Sequence, residues 1–136
     1  MKKRTIFLML LLFPLLTTTG QVKTGIEVLR GQNFESLKGQ KVGLITNPTG
    51  VDAQLKSTVD ILHEAPEVDL TALYGPEHGV RGDVAAGEKI EDLRDEETGL
   101  PVYSLYGKTR KPTPEMLEGI DVLVYDIQDI GSRSYT

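Results

Sequence analysis

Ten residues, Leu73 to Gly82 (LYGPEHGVRG), set a carboxylic acid, an imidazole and a guanidinium between glycines, directly after an apolar run. Glycines at 75, 79 and 82 let the backbone take positive φ and approach a ligand closely, while Pro76 stiffens the turn that presents Glu77 and His78. A carboxyl group held in this way can protonate a leaving oxygen, and neighbouring backbone that partly desolvates it raises its pKa toward the useful range. Glu77 is therefore the candidate general acid. His78 can orient Glu77, bind substrate or cap the turn, and Arg81 adds a cation to the same loop. The plain alternative is a polar loop whose carboxylate hydrogen-bonds backbone amides, and this stretch alone does not choose between them.

Two more polar clusters share that placement. Asn47 and Thr49 follow the apolar run Lys41 to Thr46, and Asp126, Gln128, Asp129 and Arg133 lie at or after the end of the run Ile120 to Ile127. Carboxylates on separate loops of one cleft are what glycoside hydrolysis needs, one to protonate the leaving oxygen and another group to activate water or stabilise the developing cation. Asp126 is the candidate second carboxylate. Asp126 and Asp129 point differently from an i, i+2 pair, so one faces a cleft while the other ties down a loop. Arg133 suits a ligand carboxylate through paired hydrogen bonds, or an internal ion pair with Asp129. A metal site is the competing reading of Glu77, His78, Asp126 and Asp129, and such oxygen-rich ligands would favour Mg, Ca or Mn. No established metal spacing supports it, and neither a Gly-rich dinucleotide fingerprint nor a Walker lysine is present, so no cofactor is expected.

The elements that must position these residues alternate. Gly25 to Leu37, with Ile26 and Leu29 and then Phe34 and Leu37 near helical spacing and Gly39 as the stop, reads as a short, partly irregular helix. Lys41 to Thr46 (KVGLIT) reads as a strand broken by Asn47-Pro48-Thr49-Gly50. Asp52 to Glu64 reads as a helix with Asp52 as N-cap and Leu55, Val59 and Leu62 on its buried face. Val68 to Tyr74 is the second strand. The charged stretch from Gly75 to Gly99 exceeds a plain connection, and Val102 to Tyr106 is a third strand. Thr113-Pro114 reads as the start of a short helix, and Ile120 to Ile127, apolar on both faces, as a central parallel strand. The order predicts an α/β fold: an open, mostly parallel sheet with flanking helices. Every polar cluster then falls at the carboxyl edge, where such sheets bind ligands.

Composition narrows the classes. The 136 residues are 39% hydrophobic and 26% charged, as for one globular domain. Met1-Lys2-Lys3-Arg4 precedes an apolar run from Ile6 to Leu16, a pattern that predicts a signal peptide over residues 1–20 and an exported product, periplasmic or extracellular. That run is shorter than the roughly 20 residues a membrane-spanning helix needs, so no stable membrane anchor is expected after cleavage. Losing the three cations of the leader would take the formal charge from −5 to −8, which argues against nucleic acid. With no cysteine and two histidines, disulfides, thiolate metal sites and His-rich sites are excluded. The chain stops at Arg133-Ser134-Tyr135-Thr136, just after a strand and its loop, so residues 21–136 are expected to be the N-terminal part of a domain truncated before completion.

Five motifs in order carry a resemblance: ITNPTGVD (Ile45 to Asp52), LYGPEHGVRG (Leu73 to Gly82), TGLPVYSLYG (Thr98 to Gly107), KPTPEML (Lys111 to Leu117) and GIDVLVYDIQDIGSRSYT (Gly119 to Thr136). The set resembles the NamZ-type exo-β-N-acetylmuramidases over nearly all of the chain beyond the leader. The resemblance implies a Rossmann-like domain bearing the cleft, and release of N-acetylmuramic acid from non-reducing ends of peptidoglycan fragments. It implies Glu77 as general acid, with His78, Asp126, Gln128, Asp129 and Arg133 in or beside the cleft; Asn47, Thr49 and Arg81 join the expected substrate-binding residues by their place directly after the strands. Ser134 departs from the aromatic expected in the R-x-Y-T segment. A non-catalytic module that binds muropeptides is the alternative. Oligomeric state is not legible in the sequence.

Overall fold

The computed structural model describes residues 20, 22–85, 93–129 and 131. Residues 1–19, the bulk of the expected signal peptide, lie outside the described residues, as do Arg133 and Ser134. The elements run α1 (Gly25–Gly31), a single 3₁₀ turn (Glu35–Leu37), β1 (Lys41–Thr46), α2 (Thr58–Glu64), β2 (Asp69–Gly75), β3 (Leu93–Arg94), β4 (Pro101–Ser104) and β5 (Val122–Asp126).

The strands form one sheet in the order β3-β4-β2-β1-β5. β1 pairs in parallel with β2 and with β5, β2 pairs in parallel with β4, and only the two-residue β3 runs antiparallel. This is the α/β, Rossmann-like open sheet that the sequence predicts. The four parallel strands read third, second, first, fourth across the sheet, so the winding reverses between β1 and β5, the place where open α/β sheets leave a crevice. Register brings the carboxyl ends level: Thr46 lies opposite Asp126, Ile45 opposite both Tyr74 and Tyr125, and Gly75 opposite Ser104.

One face of the sheet holds the core. Val42, Leu44, Leu73 and Val102 pack with Val59, Ile61 and Leu62 of α2 and with Ile26, Phe34 and Leu37, while Val122 and Val124 of β5 touch the same cluster. On the other face Gly43 leaves room for its neighbours, since a Cβ there would sit 2.8 Å from the Tyr74 ring and from Leu123. Tyr74 is fully buried, its hydroxyl donating to the Met116 carbonyl at 2.5 Å, and burial pushes its pKa up to about 12.

Four local expectations change. The helix expected through Leu37 ends at Gly31, because Asn33 and Phe34 both take left-handed backbone with φ of 53°. Phe34 and Leu37 are nevertheless buried, so the apolar spacing marked the core and not the helix length. α2 begins at Thr58, capped by the Ser57 hydroxyl, which accepts from the Val59 amide at 3.2 Å. Asp52 instead organises the loop before it, accepting from the amides of Gln54 and Lys56 at 2.9 Å each and from Arg30 at 2.5 Å. Those bonds hold its carboxyl below the usual range. Leu55, expected on the helix's buried face, is 80% exposed at φ 63°. The stretch after Thr113 forms turns and no helix. Among the described residues β5 is the outer strand of the sheet, with Leu123 and Tyr125 exposed. Its apolar pattern suits cover on both faces, and the described residues supply cover for one.

Candidate active site

The loops after β1 and β5 are strapped directly to each other where the winding reverses. The buried Asn47 side chain accepts from the Thr49 amide at 3.0 Å and from its hydroxyl at 2.6 Å, an Asx turn that fixes the chain as it leaves β1. Thr49 then accepts from the Gln128 amide at 2.9 Å, and Thr46 donates to the Asp126 carbonyl at 2.7 Å. The Asp126 carboxylate takes the Thr58 hydroxyl at 2.5 Å, which turns it toward the start of α2. Gly50 completes the junction: a Cβ there would come within 2.2 Å of the Thr46 hydroxyl and 2.8 Å of the Asp126 carbonyl. Asp129 is exposed and accepts from the Gly131 amide at 2.7 Å, so it shapes its own loop.

Glu77 and His78 lie on a tight turn closed by the Gly79 amide on the Pro76 carbonyl at 3.0 Å. The turn folds back so far that a Cβ on Gly75 would meet Gly79 and Val80 at 3.1 Å. His78 takes φ 72°, a left-handed conformation that costs a non-glycine residue about 1 kcal/mol or more and persists only where the surroundings impose it. Here the Nδ1 atom bonds the Val84 carbonyl at 3.0 Å while the His78 carbonyl accepts from the Val84 amide at 3.4 Å. A carbonyl only accepts, so Nδ1 is the donor in this bond and Nε2 takes no part in it. The loop also touches its neighbour after β1, for a Cβ on Gly82 would lie 2.7 Å from the Pro48 ring.

Arg81 is committed to carboxylates. Its guanidinium bonds both oxygens of Asp95, at 2.5 and 3.0 Å, and reaches Asp60 at 2.8 Å and Glu97 at 3.3 Å. Asp95 also accepts from the amide and hydroxyl of Thr98 at 3.0 and 2.6 Å. Arg81 and these donors push the Asp95 pKa down to about 2, and the paired carboxylates push that of Arg81 up. The clamp ties the loop after β2 to α2 and to the turn before β4. A cavity of about 330 Å³ borders it, lined by Val80, Arg81, Asp83, Arg94, Asp95 and Glu97 among others, and neither Glu77 nor Asp126 lines it.

The structure thus brings Asn47, Thr49, Asp126 and Gln128 into one hydrogen-bonded cluster at the carboxyl edge, with Glu77 and His78 on the next loop along the same edge. Gly75 and Asp126 end strands that flank β1, two strand spacings or roughly 10 Å apart. Sequence reasoning missed Tyr106. The Glu77 carboxylate hydrogen-bonds its hydroxyl and raises the phenol pKa. The apolar run had placed Tyr106 inside a strand, whereas β4 stops at Ser104 and Tyr106 follows it in the loop at the carboxyl edge.

Residues 42–136 match the N-terminal family of exo-beta-N-acetylmuramidase NamZ. Peptidoglycan beta-N-acetylmuramidase NamZ of Bacillus subtilis (strain 168) is 60% identical over 116 residues, which are 85% of this chain and 28% of that protein. A crystal structure of a DUF1343 family protein from Bacteroides fragilis NCTC 9343 is 74% identical with a TM-score of 0.74, over 84% of this chain and 28% of the other. A second DUF1343 family protein from the same organism is 33% identical with a TM-score of 0.64, over 85% and 28%. The chain therefore spans 28% of the length of these relatives. With a family match over most of its length, laid on a parallel sheet whose carboxyl edge carries the matched loops, the chain belongs to the exo-β-N-acetylmuramidase NamZ N-terminal family.

Proposed function

We propose that this chain supplies the sheet edge of the substrate cleft in an exported glycosidase that releases N-acetylmuramic acid from the non-reducing ends of peptidoglycan fragments. The observation that carries this reading is the 60% identity over 116 residues to a protein named peptidoglycan beta-N-acetylmuramidase NamZ. The basic-then-apolar start, Met1 to Leu16, supports export.

In this reading Glu77 gives its proton to the glycosidic oxygen as the bond to the anomeric carbon breaks, and positive charge spreads over that carbon and the ring oxygen. Asp126, across the crevice, stabilises that charge or directs the incoming water. His78, protonated at Nδ1 by its bond to Val84, offers Nε2 to a sugar hydroxyl or to Glu77. Thr49 and Gln128 offer the wall against which the sugar rests, with Asn47 fixing Thr49 from beneath and Asp129 shaping the loop that follows. Arg81 keeps the Glu77 loop in place through its carboxylate clamp, and Arg133 meets the lactyl carboxylate that distinguishes muramic acid from glucosamine. No cofactor or metal enters the scheme.

The test is to incubate the full-length protein with a disaccharide carrying N-acetylmuramic acid at its non-reducing end and follow the products by chromatography. Free N-acetylmuramic acid is the expected product. Retention of the disaccharide on the protein without release would instead support the muropeptide-binding module.

A further inference from the structure

Resting on the reading of Glu77 as the acid, we infer that Tyr106 is a positioning residue that fixes the Glu77 carboxyl group at the mouth of the cleft. β4 ends at Ser104, but pairing continues one residue further, the Leu105 amide donating to the Gly75 carbonyl at 2.8 Å. The next residue, Tyr106, then lies alongside the turn that begins at Pro76. Ser104 locks it there. The Ser104 side chain, 8% exposed, donates to the Tyr106 carbonyl at 3.0 Å and accepts from the Tyr106 amide at 3.2 Å. A buried hydroxyl that spends both its donor and its acceptor on one residue's backbone leaves that residue little freedom.

The side chain so fixed meets Glu77, whose carboxylate accepts from the phenol. Arg110, from the basic turn after β4, is the other charge acting on Tyr106, while the imidazole beside Glu77 in sequence is turned to the Val84 carbonyl through Nδ1. Glu77 is thus gripped from the neighbouring strand's loop as well as by its own turn. A phenol donating to one carboxyl oxygen leaves the other to carry the transferable proton, which aims it.

The test is Tyr106→Phe in the full-length protein, beside Glu77→Gln. Loss of the phenol is expected to lower kcat about tenfold with KM little changed. The alkaline limb of the kcat/KM profile should move up by about one pH unit, because a carboxylate that loses a donor holds its proton more tightly. A merely structural role would lower the melting temperature and leave the limb in place. Unchanged kcat and limb in Tyr106→Phe, with Glu77→Gln inactive, overturns the positioning role alone, whereas an active Glu77→Gln removes the acid reading beneath it. Titration of the Tyr106 phenol by tyrosine-labelled NMR reads the same contact without altering Tyr106. Its ionisation should shift to lower pH in Glu77→Gln, and identical titrations in the two proteins would overturn the proposal.

Discussion

The Thr58 hydroxyl, on the first residue of α2, donates to the Asp126 carboxylate on the last residue of β5 at 2.5 Å, across 68 positions of sequence. This bond joins a helix start to a strand end where the winding of the sheet reverses, and Thr46 adds a second link at 2.7 Å to the Asp126 carbonyl. Thr58→Val keeps the shape and removes the donor. A hydrogen bond to a charged group contributes about 1.5–3 kcal/mol, so the variant is expected to lose about 2 kcal/mol. Urea unfolding should show a lower midpoint with an unchanged slope. A midpoint equal to that of the parent would mean that the Thr58 bond contributes nothing to holding Asp126.

Gly50 is required by crowding, not by backbone conformation. A Cβ at this position would lie 2.2 Å from the Thr46 hydroxyl and 2.8 Å from the Asp126 carbonyl, and the latter is backbone that cannot rotate away. Gly50→Ala is expected to cost about 3 kcal/mol and to pry β5 from β1. Amide hydrogen exchange across the β1–β5 ladder is the readout, and unaltered protection there would show that the crevice relaxes freely.

Acid stability should carry the signature of Asp95. Its carboxyl ionises near 2 in the folded chain, against an ordinary value of 3.8, because Arg81 and Thr98 favour the charged form. With the folded pKa depressed, the unfolded chain takes up the proton first as pH falls. The contribution is therefore fully present above about pH 4 and is lost between there and about pH 2, and it amounts to about 2 kcal/mol. Asp95→Asn should be less stable than the parent at neutral pH and should lose less on acidification. Parallel pH dependences of the two urea midpoints would remove Asp95 from the acid response.

The α/β class was legible because long apolar runs end in turn chemistry. Lys41 to Thr46 matches β1 at both ends, and Val68 to Tyr74 is displaced from β2 by a single residue. Boundaries were lost where side chains replace backbone partners. Asp52 looks like a cap but bonds loop amides, and the true cap, Ser57, sits five residues later. Tyr106 was hidden by the same kind of error, since the alternation in VYSLY runs past the last ladder residue, Ser104. The partners of Arg81 could not be read at all. Asp60, Asp95 and Glu97 come to it from α2 and from the turn before β4, separations that no local spacing encodes.

The most direct measurement is turnover of a chromogenic N-acetylmuramide by the full-length protein and its Glu77→Gln variant, with binding of the same sugar measured in parallel. A positioned general acid contributes about a hundredfold to ten-thousandfold, so the account predicts a rate loss in that range with sugar binding and melting temperature retained. Turnover at the parent rate would contradict it, and would take the acid role away from Glu77.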